Sequence, residues 1–216
     1  MNPWRRVFGS GTAASATARR WVVVDVETTG LDVQHDQLLA VAAVGLQIDS
    51  TAAPRIALAD SFEAVVHHDA VLADKGNILL HGIGVGAQRA GAPPAVVLGA
   101  LERWLGNAPL LAFHAAFDQA MLGRAMKAAL GHNTSNPWLD LEPVADALHP
   151  DVGSHSLDDW LAHFDIVCAV RHQAAADAWA TAELLQRLWP AARAQRCASF
   201  AGLQRLAAQR RWLARR

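Results

Sequence analysis

At 216 residues, with 52% hydrophobic side chains, the chain has apolar surface enough for the core of one ordinary domain and too much for a disordered one. Its formal net charge of −1 conceals a segregation: residues 1–20 and 191–216 hold eleven of the 19 Lys and Arg and none of the 20 Asp and Glu, so the stretch between them stands at −12. Two distant cysteines argue against a disulfide framework or a structural zinc site, and the absence of any apolar run of spanning length or secretory h-region points to a cytoplasmic protein.

Residues 1–20 read as a flexible basic tail. "WVVVDVETTG" (21–30) follows, a β-branched run of the kind that fills a buried central strand. Asp25 and Glu27 interrupt it two residues apart, so both carboxylates leave the same face of the strand. Like charges there repel one another and lose hydration, and a cation between them resolves both costs. A solvated surface pair is the plainer alternative. "QLLAVAAVGLQID" (37–49) and "RIALADSFEAVVH" (55–67) read as the second and third strands, joined through a hairpin-like turn at Asp49–Pro54. Residues 68–94 form a long irregular loop with one short helix, and long loops inside compact domains are often functional.

A helix is predicted over 95–106, a buried strand over 109–115 and a helix over 117–130. "PWLDLEPVADALHP" passes from a short strand into a helix, and "SLDDWLAHFDI" is another helix. "HQAAADAWATAELLQRLW" (172–189) is Ala-rich and strongly helical, able to approach a sheet closely, with Pro190 kinking or ending it. Strands first, then alternating helices and strands, make an α/β fold with a mixed central sheet. The main domain spans 21–190, and 191–216 form a basic helix with Phe200, Leu203, Leu206 and Leu213 on one stripe. That helix either packs on its own domain, which we prefer, or docks on a polymerase or a nucleic-acid backbone.

Single acidic positions carry little information. Asp118, just past a buried strand at a helix start, is placed for a cap as well as for a metal site. Asp177 is also consistent with an exposed helix acid. His172, five residues earlier, would point about 140° away on a continuous helix. It is therefore expected at the mouth of the helix, leaning over a site that Asp177 faces.

As an ordered set, "DVETTGLD", "HAAFDQAML", "LDLEPVADALHP", "SLDDWLAHFDI" and "RHQAAADAWATAELL" resemble the DEDD superfamily of 3′–5′ exonucleases. The subgroup is the histidine one, which includes the proofreading ε subunit of bacterial DNA polymerase III, ribonuclease T and oligoribonuclease. The chain contains no Tyr, so the tyrosine variant of this family is excluded. The resemblance implies a ribonuclease-H-like mixed sheet flanked by helices. It also implies two divalent ions, Mg²⁺ or Mn²⁺, held by Asp25, Glu27, Asp118 and Asp177, with His172 as general base. Thr28 and Thr29 would meet the terminal nucleotide, with Leu31, His81 and Ile83 as further candidates for its pocket. The family's H-N-A-x-F-D motif has Asn where this chain is read as having Ala115.

The leading functional reading is hydrolysis at the 3′ end of single-stranded DNA, by a stand-alone enzyme or a polymerase-associated subunit. The alternatives are an exoribonuclease or oligoribonuclease with the same chemistry, and a non-catalytic polymerase-associated binding subunit. No membrane association is expected.

Overall fold

The valine run forms the middle of the sheet, with side chains alternating between two cores. In a computed structural model that describes residues 19–49, 52–69, 75–153 and 155–213, β1 (Arg19–Thr28) pairs antiparallel with β2 (Leu38–Ile48), which pairs antiparallel with β3 (Arg55–Val65). On the other side β1 is parallel to β4 (Leu110–Ala112), and β4 to β5 (Trp138–Asp140). The order is β3-β2-β1-β4-β5, so the strand bearing Asp25 and Glu27 is central in a mixed sheet, as expected.

Trp21 and Val23 enter one core, together with residues of α5 (Glu142–Leu148), α6 (Leu157–His163), α7 (Ala174–Ala194) and α8 (Phe200–Leu213). Val22, Val24 and Val26 enter the other, against α3 (Pro94–Leu105) and α4 (Ala115–Leu130). Strand alternation then assigns Asp25 and Glu27 to the α7 face. Small side chains let α7 lie close to that face: Ala178 and Ala182 are buried, and the helix packs along β1 and β2.

Three features depart from the sequence reading. β1 begins at Arg19, and Arg20 is no tail residue: its guanidinium pairs with Asp60 at 2.6 Å and lies over the Trp104 ring. The loop after β3 holds two short helices, α1 (Lys75–His81) and α2 (Val85–Ala90), where one was predicted. Finally, α7 runs through Pro190 to Ala194, so Pro190 does not end it, and the helix read over 191–216 is α8, confined to Phe200–Leu213. Pro190 lacks one N–H and sits on the exposed side, while Leu188, Trp189 and Ala192 remain buried around it, so packing carries the helix past the missing bond.

The basic tail at 1–18 and the last arginines, Arg215 and Arg216, lie outside the described residues, as does the Leu213 side chain. The rest of the C-terminal stripe is seen to pack on the domain. Leu203 and Ala207 are buried, Phe200 meets Trp21 edge-on at 5.4 Å, and α8 lies along α5. Arg210 and Arg211 pair with Asp146 and Asp140. Leu203 is fully covered, so Leu203→Ala should lower the unfolding free energy by about 2–5 kcal/mol. Urea unfolding read at an unchanged m-value checks this.

Candidate active site

The site forms where the parallel strands stop. β4 pairs with β1 only at Val22 and Val23, while β1 runs on to Thr28. Asp25 and Glu27 stand opposite Ala42 and Ala40 of β2, so only methyl groups flank the carboxylates on that side. The register shifts between Glu27 and Thr28, a bulge of the kind that re-aims side chains beside active sites.

Asp118 arrives from the first turn of α4, 5% exposed, where its own backbone N–H and that of Val26 favour the charged carboxylate. Asp177 arrives from the first turn of α7, 6% exposed. One of its oxygens takes the Arg171 guanidinium, the other the His172 backbone N–H at 3.0 Å, and the Cys168 thiol lies 3.5 Å from it. His172 is two residues short of α7, in a left-handed conformation with φ of 60°. It stands at the mouth of the helix as the spacing predicts, with its side chain exposed.

Charge couples these residues. Asp25 is held well above its ordinary pKa by burial first, then by Asp118, Glu27 and Asp177, with Arg171 opposing. Glu27 is raised to about 8 by burial and by Asp177, again against Arg171. Asp118 is raised to about 8, mainly by burial, with Asp140 and Glu27 adding to it. Asp25, Glu27 and Asp177 thus share one guanidinium, which does not reach Asp118. Among the described residues no three His, Cys, Asp or Glu side chains converge as a ready-made ion cage. Even so, an all-oxygen, anionic and poorly hydrated donor set suits a hard divalent cation.

Beside the acids the chain from Thr28 to Gln37 is tightly laced. Thr28 donates to the Gly30 carbonyl, Thr29 donates to Asp36, and Asp36 accepts from the Asp32 N–H. A Cβ on Gly30 would lie 2.5 Å from the Asp36 carboxylate, so only glycine allows that carboxylate to sit there. Asn77 of α1 donates to the Thr29 carbonyl and brings α1 to the site. Leu31 projects into solvent at 86% exposure, whereas His81 is only 4% exposed and Ile83 packs against Leu39 and Ala40. The structure therefore leaves Leu31 and part of Thr29 facing solvent and buries Thr28, His81 and Ile83.

Several residues escaped the sequence reading. Arg171 had a signal, since it directly precedes His172. Asp140 ends β5 at the same edge of the sheet as Asp118. Asp36 and Asn77 act through loop geometry that has no sequence pattern. Counting H-N-A-x-F-D back from Asp118 also puts its Asn at His114, not Ala115. His114 is the left-handed residue before α4, with φ of 61°, a conformation that Asn and His tolerate better than most.

The family model described as Exonuclease (RNase_T) matches residues 22–185. The DNA polymerase III PolC-type protein of Oceanobacillus iheyensis is 32% identical over 168 residues, covering 78% of this chain and 11% of that protein. The Bacillus subtilis PolC-type protein is 32% identical over 170 residues, with the same coverage of 78% and 11%. The chain thus spans about a ninth of these curated relatives. Among solved structures, E. coli Exonuclease I in complex with a dT13 oligonucleotide superposes with a TM-score of 0.64 at 19% identity, over 82% of this chain and 42% of that one. Cell-death related nuclease 4 superposes with a TM-score of 0.65 at 17% identity, over 80% and 64%. At these identities the structures show a shared fold.

Glu27 has a folded pKa near 8 against an ordinary 4.5. A raised carboxyl favours folding while protonated, so its contribution is present below the unfolded pKa and is lost as pH rises through the folded one. In chelator, the metal-free protein should lose stability between pH 5 and 8. Glu27→Gln should flatten that loss and be the more stable protein at pH 8, as read by thermal melts across the range.

Proposed function

Because the chain belongs to the DEDD 3′–5′ exonuclease family, we propose that it hydrolyses single-stranded DNA from the 3′ end, using two divalent ions and a histidine base. The observation that carries this reading is the gathering of Asp25, Glu27, Asp118 and Asp177 from three separate elements into one electrostatically coupled, desolvated group. A stable fold gains nothing from such a group without a cation. PolC-type polymerases among the relatives, and Exonuclease I bound to an oligodeoxynucleotide among the structures, support DNA as the substrate.

In this reading Asp25, Glu27, Asp118 and Asp177 would hold the two ions. Bound Mg²⁺ or Mn²⁺ would neutralise the charge that builds on the phosphate and on the attacking and leaving oxygens. The chain's own residues do the rest. The loop from Thr28 to Gln37, fixed by Asp36 and Asn77, offers the backbone of Thr28 and Thr29 to the terminal nucleotide, and Leu31 offers an apolar surface to a base. His172 takes a proton from the attacking water. Its backbone bond to Asp177 ties the base to the carboxylate group, so that the two keep a fixed relation. The PolC-type relatives support a polymerase as a partner. No described helix is long and apolar enough to cross a membrane, and two free cysteines suit the cytoplasm.

Asp25→Asn and Asp177→Asn should each abolish release of mononucleotides while leaving the circular-dichroism spectrum unchanged, and chelation should do the same to the wild type. A matched panel of DNA and RNA oligonucleotides, single and double stranded, with Mg²⁺ and with Mn²⁺, tests substrate and metal together. Equal rates in chelator would overturn the metal reading, and preference for RNA would overturn the DNA one.

His172→Ala should lose about 10²–10⁴ in rate and keep Mn²⁺ binding. A neutral imidazole accepts a proton and an imidazolium does not, so the wild-type rate should fall on the acid side and that limb should vanish in the mutant. A mutant with the wild-type rate–pH profile at saturating Mn²⁺ would remove His172 from the mechanism.

A further inference from the structure

Arg171 has a place that the proposed chemistry does not use. Its guanidinium forks between two carboxylates of opposite character: Asp158, in the first turn of α6, is 63% exposed, while Asp177 is 8% exposed within the site. The arginine itself is three-quarters covered. It sits on the link between α6 and α7, one residue before His172, whose left-handed backbone turns the chain toward Asp177. The oxygen of Asp177 that Arg171 engages is thereby occupied, and the charge that would draw a divalent ion toward Asp25, Glu27 and Asp177 is partly cancelled. The same guanidinium opposes the upward shift of both Asp25 and Glu27.

We propose that Arg171 is a built-in competitor for the divalent cation: it neutralises Asp177 while the site is metal-free, and loading the ion transfers the guanidinium to Asp158 and solvent. This rests on the metal-dependent reading above. A fixed cation and an incoming ion cannot both hold one carboxylate oxygen, so the exchange couples metal binding to the link that carries His172. Asp158 is the second seat, near enough to share the arginine and exposed enough for a charged pair to remain hydrated there. By linkage, whatever strengthens the Arg171–Asp177 pair weakens metal binding by the same factor.

The test is Mn²⁺ binding to the full chain without nucleic acid, followed by electron paramagnetic resonance, for wild type, Arg171→Gln, Asp158→Asn and the double mutant. Arg171→Gln should bind Mn²⁺ on the order of tenfold more tightly than wild type, and its melting temperature should gain more on Mn²⁺ addition. Asp158→Asn should weaken binding in the wild-type background, because Arg171 loses its second seat, and should change nothing when Arg171 is already Gln. Simple through-space electrostatics would make Asp158→Asn act by the same factor in both backgrounds. That result, or an Arg171→Gln protein no tighter than wild type, would overturn the exchange. Absence of Mn²⁺ binding in every variant would overturn the metal reading and the exchange with it, whereas ordinary binding with additive effects would overturn the exchange alone.

Discussion

Repulsion among buried carboxylates is the constraint around which this molecule is arranged. Asp25 and Glu27 on the central strand and Asp118 on α4 lose hydration and are pushed toward their protonated forms, and the charge of Asp177 on α7 adds to the shift of the first two. Arg171 relieves part of this from one side. The remaining imbalance is a standing affinity for cations, held in place by elements that are stable for other reasons.

Those reasons lie on both faces of the sheet. Val22, Val24 and Val26 anchor β1 against α3 and α4, while Trp21 and Val23 anchor it against α7 and its neighbours. Two independent cores grip the strand that carries the unfavourable pair, so the local cost is offset by burial along the same ten residues. Alanines on α7 and on β2 set the spacing. On the helix they permit close approach, and opposite Asp25 and Glu27 they set only methyl groups beside the carboxylates. The early end of β4 does the remainder, since Asp118 can reach the backbone of β1 only where the parallel partner has stopped.

Around this centre the two irregular segments beside the carboxylates are held by polar bonds. The Thr29–Asp36 pair and the Asn77 side chain fix the loop after β1, and Gly30 makes room for the carboxylate that organises it. On the far side, the link from α6 to α7 is tied down by Arg171 and by the His172 N–H. Both segments are irregular chain on a rigid sheet, the arrangement in which a binding surface can adapt while its charged floor stays fixed. α8 closes the opposite flank, bringing Arg210 and Arg211 to Asp146 and Asp140, so much of its basic character is spent within the domain.

The sequence by itself determined which acidic side chains the framework carries and much of that framework. The valine run, the two-residue spacing of Asp25 and Glu27, the positions of Asp118 and Asp177 at helix starts and the alanine face of α7 are local patterns. Local patterns of period and spacing survive without tertiary information. His172 at the mouth of α7 was legible for the same reason, since the helical period forbids it from sharing a face with Asp177. Tertiary structure decided what depends on residues distant in the chain. Arg171 became a partner of Asp158 and Asp177 only because α6 and α7 meet, and Asp140 joined Asp118 only through sheet order. Continuation of α7 past Pro190 overrode a local signal, because burial of Trp189 and Ala192 outweighs one absent hydrogen bond. The burial of His81 and Ile83 was likewise decided by what packs on them, which their place in a loop did not reveal.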